Sequence, residues 1–187
     1  MYTIEDKYKL IKNDIIEQNS ENPIKIAKYI MDKNYVNIHG PEHHLIDSLA
    51  FLVAYRNITG KMDLNNEIEE LASRTIKMPG AMCGKWGVCG AAASLGAMLS
   101  VINKTTPLSD NDYYKHNMEY TSLVINKMSK LGGPRCCKRN AFISITTMID
   151  FIYQKYNVKM PKYAIECEYS SCNPTCLKFK CPFYKRG

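Results

Sequence analysis

The stretch that decides the fold runs from Val88 to Ile102 and reads VCGAAASLGAMLSVI. It carries no charged residue, and Gly90, Ala93 and Ala97 recur at spacings of three and four, which places small side chains on one face of a helix. Small side chains let the backbone of a second helix approach closely. The stretch therefore predicts a buried central helix against which the rest of the chain packs.

Helical periodicity continues on both sides of this segment. Asn22 followed by Pro23 predicts the N-cap and first turn of one helix, and another is expected to begin at Pro41. Ser109 predicts the capped start of a helix that ends at a Gly-Gly pair, after which Pro134 opens the last long helix. Strand signals are few. We therefore expect an all-α fold, a single helical domain of about six or seven helices.

The chain changes character after the last of these helices. Pro161, Pro174 and Pro182 follow in a stretch with few apolar residues, and proline cannot continue a helix. We divide the chain into a helical domain, residues 1–156, and an irregular cysteine-rich C-terminal segment, residues 157–187, that packs on it.

Composition restricts the class of protein. The chain has 187 residues, 45% of them hydrophobic, and eight cysteines, too sparse for a small disulfide scaffold. Its first residues are charged where a signal peptide would be apolar, and the longest uncharged stretch is too rich in glycine and alanine to cross a membrane. We expect a cytoplasmic protein with reduced thiols and no membrane partner, in which cysteines serve metal, cluster or thiol chemistry.

The formal net charge of +7 lies entirely in the last part of the chain. Residues 1–134 hold 15 basic and 15 acidic residues, whereas residues 135–187 hold 10 and 3. A basic segment suits nucleic acid or an acidic partner. Because metal-bound cysteines are negatively charged, lysines that balance a thiolate site are the interpretation we favour over nucleic-acid binding.

Four cysteines of this segment form a candidate metal site. Cys167, Cys172, Cys176 and Cys181 are separated by gaps of four, three and four residues, on a segment that needs a further cross-link to fold. Zinc sites usually pair short gaps, whereas a cysteine followed by proline, as at Cys181, is typical of ferredoxin-type ligation. We expect an iron–sulfur cluster, a 4Fe–4S cluster in preference, with zinc as the alternative.

The other four cysteines lie in the helical body. Cys89, Cys136 and Cys137 fall in first turns of predicted helices, where free N–H groups favour thiolates, and Cys83 precedes Cys89 across a glycine-rich turn. Arg135 adds positive charge. These cysteines are candidates for cofactor binding or for catalysis as reactive thiols, although buried inert cysteines would give the same pattern.

Histidines complete the candidate site. His39, His43 and His44 fall within six residues at the start of a predicted helix, and Asp47 lies one turn after His43, where it could fix the ring tautomer. We assign catalytic roles in proton transfer to His43 and His44, with Arg135 beside the thiols.

Four blocks of the chain resemble an uncharacterised cysteine-rich domain family, found alone or fused to methyltransferase domains in anaerobic bacteria and methanogens. The blocks are GPEHHLIDSLAFLVAYRN, MPGAMCGKWGVCGAAASLGAMLSVI, GGPRCCKRNAFISI and CEYSSCNPTCLKFKCPFY, within residues 39–184. The resemblance implies an oxygen-free setting, which favours an iron–sulfur cluster over zinc, and it implies Cys167 in preference to Cys172. It also implies that one functional pattern contains His43, His44, Cys83, Cys89, Arg135, Cys136, Cys137, Asn173, Cys176 and Cys181.

Three hypotheses follow. The first is an iron–sulfur protein with a cysteine- and histidine-lined pocket, formed where helix N-termini converge, that carries out redox or sulfur-transfer chemistry on a small-molecule substrate. The second is a zinc-stabilised interaction module that docks on a methyltransferase or nucleic acid. The third is a metal-free thiol redox enzyme. A methyltransferase or a redox protein is the expected partner.

Overall fold

The computed structural model describes residues 2–60 and 63–186. Within them the chain forms eight α-helices and no strand, so the predicted all-α class is confirmed, with one short helix, α5, beyond the predicted six or seven. The helices are α1 (Ile4–Ile16), α2 (Pro23–Met31), α3 (Glu42–Thr59), α4 (Leu64–Thr75), α5 (Met82–Lys85), α6 (Gly90–Ile102), α7 (Asp112–Leu131) and α8 (Cys137–Tyr156).

Helix α6 is the predicted central helix, and it packs against α3, α4, α7 and α8. Its close approaches differ from the predicted face: Ala93 and Ala97 are only half-buried. The tight contacts are at Gly90, which faces α3, and at Gly96, where an added Cβ would lie 2.8 Å from the Thr121 hydroxyl of α7. Because these two positions are glycine, α3 and α7 can lie close to α6.

Helix α3 is buried on every side. All residues from Glu42 to Arg56 are buried, and the helix packs against α1, α2, α4, α6 and α8. A helix surrounded by others needs no polar face, so its few polar residues mark special positions. Even with this apolar helix, none of the described helices has both the length and the hydropathy needed to cross a membrane.

Several helix ends follow the predicted signals, but two helix starts differ. The last long helix, α8, begins at Cys137 with Cys136 as its N-cap and not at the predicted Pro134. Asn22 caps α2 through its side chain, and Gly60 ends α3 with a positive φ of 62°. Asn111 caps α7 in place of the predicted Ser109. The Ser109 hydroxyl instead accepts a hydrogen bond of 2.9 Å from the Thr106 N–H in the preceding turn, so it is not available to the helix.

The C-terminal segment is irregular, as predicted, and side chains hold it to the helices. The Phe183 ring packs edge-on against Phe142 of α8 at 5.5 Å between centroids. The Tyr169 hydroxyl donates to Asp32 at 2.7 Å. Within the segment, the Cys167 N–H donates to the Phe183 carbonyl at 2.7 Å. One 3-10 turn, Lys178–Lys180, is its only helical element among the described residues.

Because α6 lies at the centre of the core, Leu95→Ala is expected to lower the free energy of unfolding by about 2–5 kcal/mol. Leu95 is fully buried, whereas Leu108, in the α6–α7 loop, is 93% exposed. Leu108→Ala is the matched control and should change stability by no more than about 0.5 kcal/mol. Urea denaturation of both variants measures the difference, and equal losses would contradict a core organised around α6.

Candidate functional site

Three helices, α3, α6 and α8, begin around one pocket, as the first hypothesis predicted. This central pocket has a volume of about 320 Å³, at the lower end of the range for small-molecule sites. The first turns of α6 and α3 lie at this pocket and have no side-chain cap. Their backbone N–H groups, the positive ends of the helix dipoles, are therefore not paired with a capping side chain. Its chemically active lining residues are His39, His43, His44, Asp47, Cys83, Cys89, Arg135, Cys137 and Asn140.

The structure thus brings together most of the residues that the sequence singled out. Cys83, Cys89 and Cys137, from three separate segments, line the central pocket with His43, His44 and Arg135. Cys136 is the exception. It is the N-cap of α8, and its side chain lies in a second cavity described below, so it is separated from the other three body cysteines.

A glycine at the start of α6 makes room for His44. An added Cβ at Gly90 would overlap the His44 imidazole ring, so no other residue fits there without moving the ring. Burial lowers the pKa of His44, which keeps the ring neutral. The close packing of α6 on α3 therefore places a neutral histidine at the uncapped end of α6.

The loop before α3 is fixed by a buried carboxylate. Glu42 accepts a hydrogen bond from Lys7 at 2.6 Å, and both side chains are buried. The same oxygen accepts the Asn37 N–H at 3.0 Å. This arrangement fixes the Asn37 backbone, whose carbonyl lies 3.0 Å from Nε2 of His43.

That carbonyl determines the tautomer of His43. Since a carbonyl only accepts, the proton is on Nε2 and Nδ1 carries a free lone pair, and burial lowers the pKa of His43 to about 3. The predicted role of Asp47 as the partner of His43 is wrong: both Asp47 oxygens lack a hydrogen-bond partner. Asp47 is fully buried, and burial raises its pKa well above the ordinary value.

Burial opposes the expected thiolates at two of these cysteines. Burial raises the pKa of Cys89, and it raises the pKa of Cys137 to about 12. The largest cause at both cysteines is the cost of removing a charged sulfur from water. Asn140, which the sequence analysis missed, donates from Nδ2 to the Cys89 sulfur at 3.3 Å.

A second cavity, here called the tail cavity, collects cysteines of the C-terminal segment. It is small, about 20 Å³, and its walls are largely apolar, including Phe142, Leu177 and Phe183. Four thiols line it: Cys136, Cys167, Cys176 and Cys181. Cys136 comes from the helical domain and the other three from the segment after residue 157.

Backbone and amide N–H groups point to two of these sulfurs. The Cys136 sulfur accepts from the Arg139 N–H at 3.4 Å and from Nδ2 of Asn173 at 3.5 Å. The Cys176 sulfur accepts from the Lys178 N–H at 3.3 Å. Such donors stabilise negative charge on sulfur.

Cys172 does not belong to the tail cavity. It is exposed, and its sulfur contacts only the Ser171 hydroxyl at 3.8 Å. Cys136, and not Cys172, is therefore the fourth thiol that lines this cavity beside Cys167, Cys176 and Cys181. Within residues 2–60 and 63–186, no group of three or more histidine, cysteine, aspartate or glutamate side chains has the geometry to hold a single metal ion.

His39 and Asn173 connect the two cavities. The Cys137 N–H donates to Nδ1 of His39 at 3.4 Å, so the ring proton is on Nε2, which lies 3.1 Å from Oδ1 of Asn173. The amide nitrogen of Asn173 in turn donates to the Cys136 sulfur. A continuous hydrogen-bond path thus runs from the central pocket to the tail cavity.

The burial of Cys89 predicts that its thiol reacts slowly with alkylating reagents. At pH 7.5 iodoacetamide should modify Cys89 much more slowly than the exposed Cys172, because the raised pKa of Cys89 leaves little thiolate. The rate at Cys89 should rise about tenfold per pH unit below its pKa. Peptide mapping by mass spectrometry gives both rates. Rapid, pH-independent modification of Cys89 near neutrality would show that it is a thiolate after all.

Comparisons with known proteins place the chain in a family without assigning a function. No match was found among curated proteins or among solved structures. One family model, described as a family of unknown function, DUF5714, matches residues 11–184. These residues include both cavities and every helix except the first turns of α1. The chain belongs to the DUF5714 family.

Proposed function

We propose that this protein binds an iron–sulfur cluster in the tail cavity through Cys136, Cys167, Cys176 and Cys181, and that redox or sulfur-transfer chemistry takes place in the adjacent central pocket. One observation carries the proposal: Cys136 of the helical domain and three thiols of the C-terminal segment line one small, largely apolar cavity. Iron–sulfur clusters are held by four cysteine thiolates in dry surroundings of this kind.

The electrostatics of the tail cavity favour bound thiolates. Arg139 lines the cavity and is 4% exposed, and its guanidinium is held by the carbonyls of Gly132 and Pro134 at 3.0 and 2.9 Å. A buried cation offsets the negative charge that four thiolates bring. The N–H donors to Cys136 and Cys176 add to this effect and are of the type that tunes cluster potentials.

The arrangement of the thiols supports a cluster in preference to zinc. Four sulfurs on zinc would have to converge to about 2.3 Å from one point. Among the described residues these thiols line one cavity without forming a single-ion site. A bound cofactor would also supply the cross-link that the irregular segment lacks.

The position of the tail cavity supports a redox role. Cys136 and Cys137 are consecutive, yet one faces the tail cavity and the other the central pocket. A cluster on Cys136 would lie one residue from the pocket. The C-terminal segment that lines the tail cavity also carries Lys178, Lys180 and Lys185. This positive charge suits an acidic one-electron carrier as the redox partner.

Purification without oxygen should give a brown protein with about four iron and four acid-labile sulfide per chain. Cys136→Ser should remove most of the iron and the visible absorbance, because it removes one of four ligands. Cys172→Ser is the matched control and should leave both unchanged, because Cys172 is exposed and outside the cavity.

Two results would contradict the proposal. A colourless protein with one zinc per chain would support the zinc-stabilised module instead. Loss of iron in the Cys172 variant but not in the Cys136 variant would show that the proposed ligand assignment is wrong. Circular dichroism of each variant separates loss of the cofactor from loss of the helices.

A further inference from the structure

A second chamber adjoins the central pocket. This side chamber has a volume of about 280 Å³ and lies beside the C-terminal part of α7 and the start of α8. Four residues line both spaces: Cys83, Cys89, Arg135 and Asn140. The two thiols therefore lie at the boundary between the chambers, whereas Cys137 lines the central pocket alone.

The central pocket has unsatisfied hydrogen-bonding groups. Nine buried side-chain nitrogen and oxygen atoms of the described residues have no hydrogen-bond partner, and four of them belong to His43, His44 and Asp47. Each of these side chains is more than nine-tenths buried and lines the pocket. Leaving such groups unpaired is costly, so their concentration at one cavity points to a ligand that pairs with them.

The chemistry of these groups indicates the ligand's polar end. His43 presents the lone pair of Nδ1, since its proton is on Nε2, and Asp47 presents a carboxyl group with no partner at either oxygen. Ammonium or other N–H groups match the lone pair of His43. The side chamber differs, because Ile125 and Met128 form an apolar wall there.

We propose that the two chambers together bind a small-molecule disulfide, with an amino-bearing half in the central pocket, the other half in the side chamber, and the sulfur–sulfur bond at Cys83 and Cys89. The proposal goes beyond cluster binding, because it assigns a substrate class and two reacting groups to the pocket. A disulfide consists of two halves joined through sulfur. Two chambers that meet at a pair of thiols can hold one half each, with the sulfur–sulfur bond beside the thiols.

The reaction is a thiol–disulfide exchange in two steps. Cys83 attacks one sulfur of the substrate, a Cys83–substrate disulfide forms, and the first half leaves as a thiol with the proton that Cys83 gives up. Cys89 then attacks Cys83, the Cys83–Cys89 disulfide forms, and the second half leaves as a thiol with the proton of Cys89. The substrate gains two electrons and two protons, and the cysteine pair loses them.

The order of attack follows from the hydrogen bonds to the two sulfurs. Both cysteines are half-buried, but Asn140 donates to the Cys89 sulfur, whereas no hydrogen bond among the described residues reaches the sulfur of Cys83, on the short helix α5. The thiol without a hydrogen bond meets the substrate first. Return of the pair to two thiols rests on the proposed function: the cluster would pass on two electrons, one at a time, from a reduced one-electron carrier, with two protons from solvent.

A single-turnover experiment tests the first half of this cycle without electron supply. The reduced full-length protein is mixed, without oxygen, with cystamine in slight excess, and the released cysteamine and the protein's disulfides are measured by mass spectrometry. We expect two thiols released per chain and a disulfide between Cys83 and Cys89. Disulfides confined to other cysteines, or no release, would overturn the proposal.

Variants separate the two steps. Cys89→Ser should stop at one released thiol, with the other half of cystamine bound to Cys83, and Cys83→Ser should abolish release from the pocket. Cys172→Ser is the matched control, because Cys172 is exposed and lines neither chamber, and it should still form the Cys83–Cys89 disulfide. Two thiols released by the Cys89 variant, with its helicity intact, would contradict the assigned roles.

A second probe tests the polar end. 3,3′-Dithiodipropionate has the same two-carbon arms as cystamine but carries carboxylates in place of ammonium groups, so it offers no donor to His43. It should react at least tenfold more slowly, and an equal or faster rate would overturn the assignment of the central pocket. None of these readouts depends on iron, so cluster loss and failure of the exchange reaction are distinguished by metal analysis.

Discussion

The close contact between α6 and α3 at Gly90 is the constraint on which the rest of the site depends. The His44 ring occupies the space where any side chain at Gly90 would lie, so the uncapped start of α6 comes directly against a buried face of α3. Cys89 precedes that glycine, and His43 and Asp47 lie on the same part of α3. One backbone approach therefore brings thiols, imidazoles and a carboxyl group to a single pocket.

The start of α8 divides the chemistry into two sites. Cys136 caps the helix with its own sulfur and faces the tail cavity, and Cys137 turns toward the central pocket. The path through His39 and Asn173 joins them again by hydrogen bonds. Two cavities of different size, a small one with an almost wholly apolar surface and a larger one with more polar groups, thus share one helix end.

Much of this arrangement could be predicted from the sequence because it follows from local signals. The apolar, small-residue stretch around Gly90 identified the central helix, and glycine and proline positions located most helix ends. The convergence of three helix N-termini on a pocket with Cys83 and His43 also followed from those positions.

Tertiary contacts explain what the sequence could not predict. Cys136 replaces Cys172 in the tail cavity because the segment folds back over α8, a contact that spacing within the segment does not encode. The pKa of Cys89 is raised by burial, which depends on neighbours distant in the chain. Asp47 is not the partner of His43, because the His43 ring instead donates from Nε2 to the carbonyl of Asn37, in the loop before α3.

The central claim is that Cys136 joins three cysteines of the C-terminal segment around one cofactor. Anomalous scattering at the iron edge, from crystals grown without oxygen, tests it most directly. The account predicts an iron peak in the tail cavity next to the sulfurs of Cys136, Cys167, Cys176 and Cys181. An iron peak beside Cys172 with Cys136 remote from it, or a zinc signal in place of iron, would contradict the account.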